Sequence, residues 1–241
     1  MKLYHGTSAR HLDSILAHGL RPRGDAPGHW EQYPSRPDMV YLTIAYPFCF
    51  AAHTPDEDGH GNCQPEKLVV EIDSTRLDQR LLYPDEDFVA QLVAEQTGKP
   101  LAAIHDDIRA NLTDLSMTCQ DLAGEAVPAW EASLAGLATC CYRGAIPRAA
   151  MTRYCVLDYR QRILLGAMAY NEGPRLGGPH EQYRQLTQWL FGNRRKLPRF
   201  VPARFLDAIR GAGCPRVAAR LRHPDFKGEE NDRTGVTVVN L

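Results

Sequence analysis

Met1-Lys2-Leu3-Tyr4-His5-Gly6-Thr7 and, further on, Val40-Tyr41-Leu42-Thr43 decide how this chain is read. The first stretch is an apolar start that ends in Tyr-His-Gly-Thr, a strand that delivers a His and a Gly to a turn. The second is another short apolar strand with a Tyr in it. A glycine backbone, having no Cβ, can approach a flat amide. The His can hold a ribose hydroxyl, and the Tyr ring can stack on a pyridine. Together they supply what a nicotinamide-type pocket needs.

Working outward, Ser8 to His18 reads as a short helix with Ser8 as N-cap and Leu12, Ile15 and Leu16 on one face. Gly19 stops it in the left-handed position at which helices often end. Residues 21–38 carry Pro22, Gly24, Pro27, Gly28, Pro34 and Pro37 and read as a long loop bearing His29, Trp30 and Tyr33. A loop of that kind serves as a lid over a site. Helices follow at 45–53, from Pro84-Asp85-Glu86-Asp87 to Thr97, and at 100–111, 128–136, 179–191 and 202–211. Strands are expected at 67–73, 139–146, 151–158 and 234–239.

The composition is that of an ordinary globular protein, with 44% hydrophobic and 24% charged residues in 241. No apolar run is long enough to span a bilayer, and the start lacks a signal-peptide layout, so a cytoplasmic protein is expected. Seven Cys with no C-x-x-C read as reduced, mostly buried thiols. His53, His60 and Cys63 match no usual zinc spacing, and no metal is expected. The absence of G-x-G-x-x-G and of a Walker A sequence excludes a Rossmann site and a P-loop. The net charge of −1 hides an asymmetry: residues 1–159 carry 13 Lys/Arg against 22 Asp/Glu, and residues 160–223 carry 13 against 3. A basic C-terminal third suits a polyanion, or pairs with the acidic body.

The ordered set Tyr4-His5-Gly6-Thr7-Ser8, Ile15-Leu16 with Gly19-Leu20, Val40-Tyr41-Leu42-Thr43, Ala51-Ala52, Val69-Val70-Glu71-Ile72-Asp73, Trp130-Glu131-Ala132-Ser133-Leu134 and Tyr142-Arg143-Gly144-Ala145-Ile146-Pro147 resembles the ADP-ribosyltransferase superfamily. It is closest to bacterial and phage members and to the related RNA 2′-phosphotransferases. The resemblance covers roughly residues 1–158. It implies an α+β fold with a split mixed β-sheet, flanking helices and NAD as substrate in a central cleft. It places His5 on a ribose hydroxyl, the Gly6 backbone on the nicotinamide amide, and Tyr41 on the ring. Thr7, Arg10 and Arg143 are further NAD-binding candidates, the two arginines for the diphosphate, with Arg21 and Arg23 behind them.

Breaking the nicotinamide–ribose bond passes through an oxocarbenium-like state that needs a carboxylate. The family carries a Glu near a late strand; here the strand 137–146 holds no acid. Glu131 is the first choice, with Asp85, Glu86, Asp87 and Glu125 as alternatives. Arg194, Arg195, Lys196 and Arg199 follow Trp189 and Phe191 and suit nucleic-acid contact. The expected organisation is an NAD-binding domain over 1–160 and a basic, mainly helical extension over 161–241 packed on it. The expected reaction is transfer of ADP-ribose to a macromolecular acceptor, nucleic acid or protein, with no membrane partner. The alternatives are an RNA 2′-phosphotransferase-like enzyme and a non-catalytic binding module. A carboxylate opposite His5 and Tyr41 separates catalyst from module.

Overall fold

Every residue of strand β1 (Lys2–Ser8) pairs antiparallel with strand β3 (Lys67–Asp73). In a computed structural model of the chain, residues 1–26, 35–57, 61, 63–104, 108, 118–120, 126–158, 161, 178–193, 228–230 and 237–241 are described. β3 is a central strand, also paired with β8 (Met151–Leu157), and both its faces lie in cores, Leu68, Val70 and Ile72 in one and Val69 in the other. That is why it reads Leu-Val-Val-Glu-Ile with no clean polar alternation. The other strands are β2 (Met39–Thr43), β4 (Leu82–Pro84), β7 (Thr139–Arg143), β9 (Gly228–Glu230) and β10 (Thr237–Asn240), and the sheet order is β4-β7-β2-β1-β3-β8-β10-β9. A separate hairpin joins β5 (Thr118–Gln120) to β6 (Ala126–Pro128). The protein is α+β.

The expected mixed sheet is not what forms. Every described pairing is antiparallel. Parallel neighbours need a crossover that returns the chain to the same end of the sheet, and each described neighbour instead enters from the opposite end. The expected division is present in another form. β2 pairs along its whole length with β7, and β1 along its whole length with β3, but β1 and β2 share the single pair Tyr4↔Thr43. Beyond it the sheet opens.

Five named helices flank the sheet: α1 (Leu12–His18), α2 (Pro47–His53), α3 (Glu86–Thr97), α4 (Ala129–Leu137) and α5 (His180–Leu190). The expected first helix is shorter, because β1 runs on through Ser8 and a 3-10 turn fills 9–11; Ser8 accepts from the Arg10 N–H of that turn. Gly19 ends α1 with φ 79°, and a Cβ there would lie 2.2 Å from the Ile146 carbonyl oxygen.

One face of the sheet holds the core of Leu3, Val40, Leu42, Leu68, Val70 and Ile72, with Ile15 of α1 and Trp130 and Leu134 of α4. The opposite face packs Tyr4 and Val69 against Phe48 and Ala51 of α2 and against Leu186, Trp189 and Leu190 of α5. α5 buries Tyr183, Leu186, Thr187 and Leu190, the spacing of one helical face. Its start is fixed by His180, whose Nδ1 lies 2.8 Å from the Tyr46 hydroxyl and whose Nε2 lies 2.9 Å from the Gly136 carbonyl oxygen. β10 closes onto β8 in the same sheet. The described parts of 161–241 are thus built into the sheet and core formed by the first 160 residues.

Candidate active site at the opening in the sheet

The opening is lined by His5–Ser8 of β1 and Met39–Leu42 of β2. Both stretches are strand, and each keeps its ladder only on the side away from the gap. Alternate residues of a strand turn their backbone N–H and C=O to one side, so both edges present such groups to the gap. The His5 side chain bridges it: Nδ1 donates to the Tyr41 carbonyl oxygen at 2.8 Å. In the neutral ring that bond puts the proton on Nδ1 and the lone pair on Nε2.

Tyr41 is held at its other end. Its hydroxyl donates to Glu86 Oε1 at 2.5 Å and accepts the Arg36 backbone N–H at 2.8 Å. Burial, followed by the charge of Glu86, pushes the phenol far above its ordinary value, so it remains a donor. Glu86 is the first residue of α3 and is buried. Asp85 caps that helix by accepting the Asp87 N–H at 3.0 Å. The Asp85 N–H in turn donates to Ser133 Oγ at 3.1 Å, and Ser133 donates to the Thr139 carbonyl oxygen at 2.7 Å. The Trp-Glu-Ala-Ser segment therefore serves the opening through Ser133, which fixes the start of α3. Burial, then the charges of Asp87 and Glu86, raises the Asp85 carboxyl well above the ordinary range.

Of the residues expected at a site, the structure brings together His5, Tyr41 and Glu86. Glu131, the first-choice carboxylate, stands exposed in the first turn of α4. Thr7 is buried in β1 opposite Leu68. Gly6 has a packing requirement of its own: a Cβ there would meet the Pro47 carbonyl oxygen at 2.2 Å and the Ala51 nitrogen at 2.6 Å. Its missing side chain is what lets α2 lie on β1.

The arginines divide. Arg10 donates Nε to Ser8 Oγ at 3.0 Å and Nη2 to the Pro55 carbonyl oxygen at 2.5 Å. The segment it grips is anchored by Lys67, whose buried ammonium donates to the Thr54 carbonyl oxygen at 2.6 Å and pairs with Asp56 at 2.8 Å. Arg143, half exposed, lies 3.5 Å from Asp38, which also takes the Arg36 guanidinium at 3.1 Å. Arg21 is exposed, and Arg23 is spent on backbone carbonyls of the 21–38 loop. Arg194, Arg195, Lys196, Arg199 and Glu125 lie outside the described residues, as do residues 27–34 of the 21–38 loop, on which the expectation of a lid rests.

Arg36 and Asp38 escape a reading for motifs. Their signal is Arg-Pro-Asp placed immediately before a strand that carries a site tyrosine. Among the described cysteines, Cys49, Cys140, Cys141 and Cys155 are buried and Cys63 is exposed. Burial pushes the Cys49 thiol up to about 11 and raises those of Cys140, Cys141 and Cys155 as well, so none of the four is a nucleophile at neutral pH. Among the described residues no group of three or more His, Cys, Asp or Glu can hold a metal, and no helix is long and apolar enough to cross a membrane. No family model matches the chain, and no curated protein sequence matches it.

Proposed function

We propose that this protein is an NAD-dependent ADP-ribosyltransferase whose substrate sits in the opening between β1 and β2. One observation carries the reading: across the gap His5 reaches the Tyr41 backbone carbonyl, and the hydroxyl at the other end of Tyr41 reaches Glu86, so one tyrosine links a His and a Glu from separate elements. A carboxamide has one donor and one acceptor face, which fits the two parted strand edges. Nε2 of His5 accepts a ribose hydroxyl. Tyr41, fixed at its hydroxyl, offers its ring to the nicotinamide. Glu86 stabilises the positive charge that develops on the ribose as nicotinamide leaves, or takes the proton of the acceptor.

Glu86 on the Tyr41 hydroxyl supports a catalyst over a non-catalytic binding module. The RNA 2′-phosphotransferase alternative asks for several phosphate-gripping arginines in the cleft. Arg10 and Arg23 are instead engaged by backbone carbonyls and Arg143 by Asp38, which supports the transferase. The acceptor is a macromolecule, nucleic acid or protein, met by the basic C-terminal third.

The test is release of labelled nicotinamide from NAD by wild type, His5→Ala and Glu86→Gln. Glu86→Gln is expected to lower release by about 10²–10³-fold while NAD still raises the melting temperature. Release by Glu86→Gln equal to wild type removes Glu86 from the chemistry. No release by wild type, with no thermal shift from NAD, ends the transferase reading.

A further inference from the structure

The loop from Arg21 to Asp38 begins and ends in the described residues, and one arginine ties its two ends. Arg23 donates Nε to the Ser35 carbonyl oxygen at 2.9 Å and Nη2 to the same oxygen at 2.6 Å. Its Nη1 donates to the carbonyl oxygens of Gly24, at 3.0 Å, and Ala26. The Gly24 N–H adds a bond to the Pro37 carbonyl oxygen at 2.9 Å. The peptide unit that supplies the Ser35 carbonyl also supplies the Arg36 N–H, and that N–H donates to the Tyr41 hydroxyl at 2.8 Å. The hydroxyl then donates to Glu86 at 2.5 Å.

We propose that Arg23 is a positioning residue of the site, holding the Tyr41 hydroxyl on Glu86 through the peptide that joins Ser35 to Arg36. The proposal rests on the transferase reading for its consequence in catalysis, and on geometry alone for the relay itself. The chain runs from a guanidinium, across one peptide plane, through a phenol, to a carboxylate. Every bond in it points the same way. A cation on the peptide oxygen makes the N–H of that peptide a stronger donor, and an N–H on a phenol oxygen makes its O–H a stronger donor. Such chains strengthen each member by roughly 10–30%. The geometric effect is larger. A guanidinium gripping one oxygen with two N–H groups fixes the orientation of that peptide, and the N–H on its far side then has one direction. A lysine keeps the charge and loses the fork. The Arg36 guanidinium donates to Asp38, and its charge also acts on Tyr41 and Glu86, so Arg36 serves the relay with its backbone N–H while its side chain adds a charge beside it.

Plain loop closure by Arg23 is the competing account, and two measurements separate it from the relay. The first is a double-mutant cycle on the full chain with Arg23→Gln, Tyr41→Phe and both, read as nicotinamide release from NAD. Arg23→Gln is expected to lower kcat about tenfold with KM for NAD within about twofold, and to cost less than about twofold once Tyr41 is already Phe. The second needs no activity: the Cζ resonance of Tyr41 in protein labelled with ¹³C-tyrosine, identified by its loss in Tyr41→Phe. It is expected to move in Arg23→Gln and in Arg23→Lys, which covers the case in which Arg23→Gln does not fold. An unmoved resonance in a folded Arg23 variant overturns the relay, as does an equal loss of activity in both tyrosine backgrounds. If wild type releases no nicotinamide, the transferase reading fails and the resonance alone decides the relay.

Discussion

Tyr4 on β1 and Tyr41 on β2 each reach a buried glutamate, Glu71 at 3.3 Å and Glu86 at 2.5 Å, on the two sides of the opening. Glu71 lies in a strand paired on both sides, beside a bulge that leaves Thr152 between the pairs Glu71↔Arg153 and Ile72↔Met151. It is fully buried and takes Arg153 Nε at 2.9 Å and Nη2 at 2.7 Å, Thr152 Oγ1 at 2.6 Å and Asn193 Nδ2 at 2.8 Å. Burial pushes this carboxyl up, but the bonds from Arg153, Thr152 and Asn193 outweigh burial and hold it below the ordinary range. Arg153 also donates to the Phe191 carbonyl oxygen, so the network fastens the end of α5 to the sheet. Glu86 lies where the ladder stops, and it is met by a phenol that is itself aimed by a loop peptide. The difference teaches where a carboxylate holds the fold and where it is available to chemistry. The first is neutralised by a forked cation inside the sheet; the second takes the Tyr41 phenol and lies within the field of the Arg36 guanidinium, which is itself engaged by Asp38.

Removing the cation at Glu71 gives the largest expected effect. Arg153→Met leaves a buried carboxylate without its forked partner, and unfolding in urea should show a loss of about 3–5 kcal/mol. Nicotinamide release per folded molecule should remain close to wild type. Glu86→Gln should do the reverse, losing activity while the unfolding free energy changes by less than about 1 kcal/mol. Two variants that both lose stability, or both lose only activity, erase the contrast.

Much of the fold was legible because period and punctuation agree with it. The helix from Glu86 to Thr97 follows from Pro84 and the Asp85 cap, and β3 follows from a β-branched run with boundaries at Lys67 and Asp73. The short strands β4, β5 and β6 were not, since three residues carry no periodicity and pairing alone defines them. His5 and Tyr41 were legible as residues of two short strands, but not as mid-strand residues: β1 runs on through Ser8 and β2 through Thr43. The proposed carboxylate, Glu86, was legible only as one of several alternatives behind Glu131. Glu131 lies beside the right strand in sequence, but helix α4 turns it to solvent and turns Ser133 inward. Glu86 enters from a distant edge of the sheet, through a pairing of β4 with β7 that no local pattern announces.

Gly6 sharpens the comparison at the strand itself, with a smaller effect. A methyl group there meets backbone atoms of α2 that cannot move aside as a side chain tip can. Gly6→Ala should cost about 1–3 kcal/mol in urea unfolding, since overpacking forces the helix off the strand. Gly144→Ala is the counterpart: its φ is positive, at 86°, which that of Gly6 is not, and nothing lies within 4 Å of its Cβ position, so it carries backbone strain without collision where Gly6→Ala carries collision without that strain. A Gly6→Ala variant as stable as wild type means that α2 sits further from β1 than these distances say, and the opening would have a different wall.

The smallest effect is a difference in sign between the two acidic groups. Glu71 has its folded value held down, so its contribution to stability is present above the ordinary glutamate range and is lost as pH falls through the folded value. Asp85 has its folded value raised, by burial first and then by Asp87 and Glu86. Its contribution is therefore greatest below the aspartate value of the unfolded chain, and is lost as pH rises from there toward the folded value. Asparagine caps a helix as well as aspartate and never ionises. Asp85→Asn should thus match wild type in strong acid and gain on it as pH rises, by of the order of 1 kcal/mol over the first unit above about pH 4. Thermal or urea unfolding of the two proteins across that interval checks it. A flat difference means Asp85 ionises in the folded protein as it does in the unfolded chain. Glu86 would then stand beside a second charge rather than a neutral acid, and that charge would raise its own affinity for a proton.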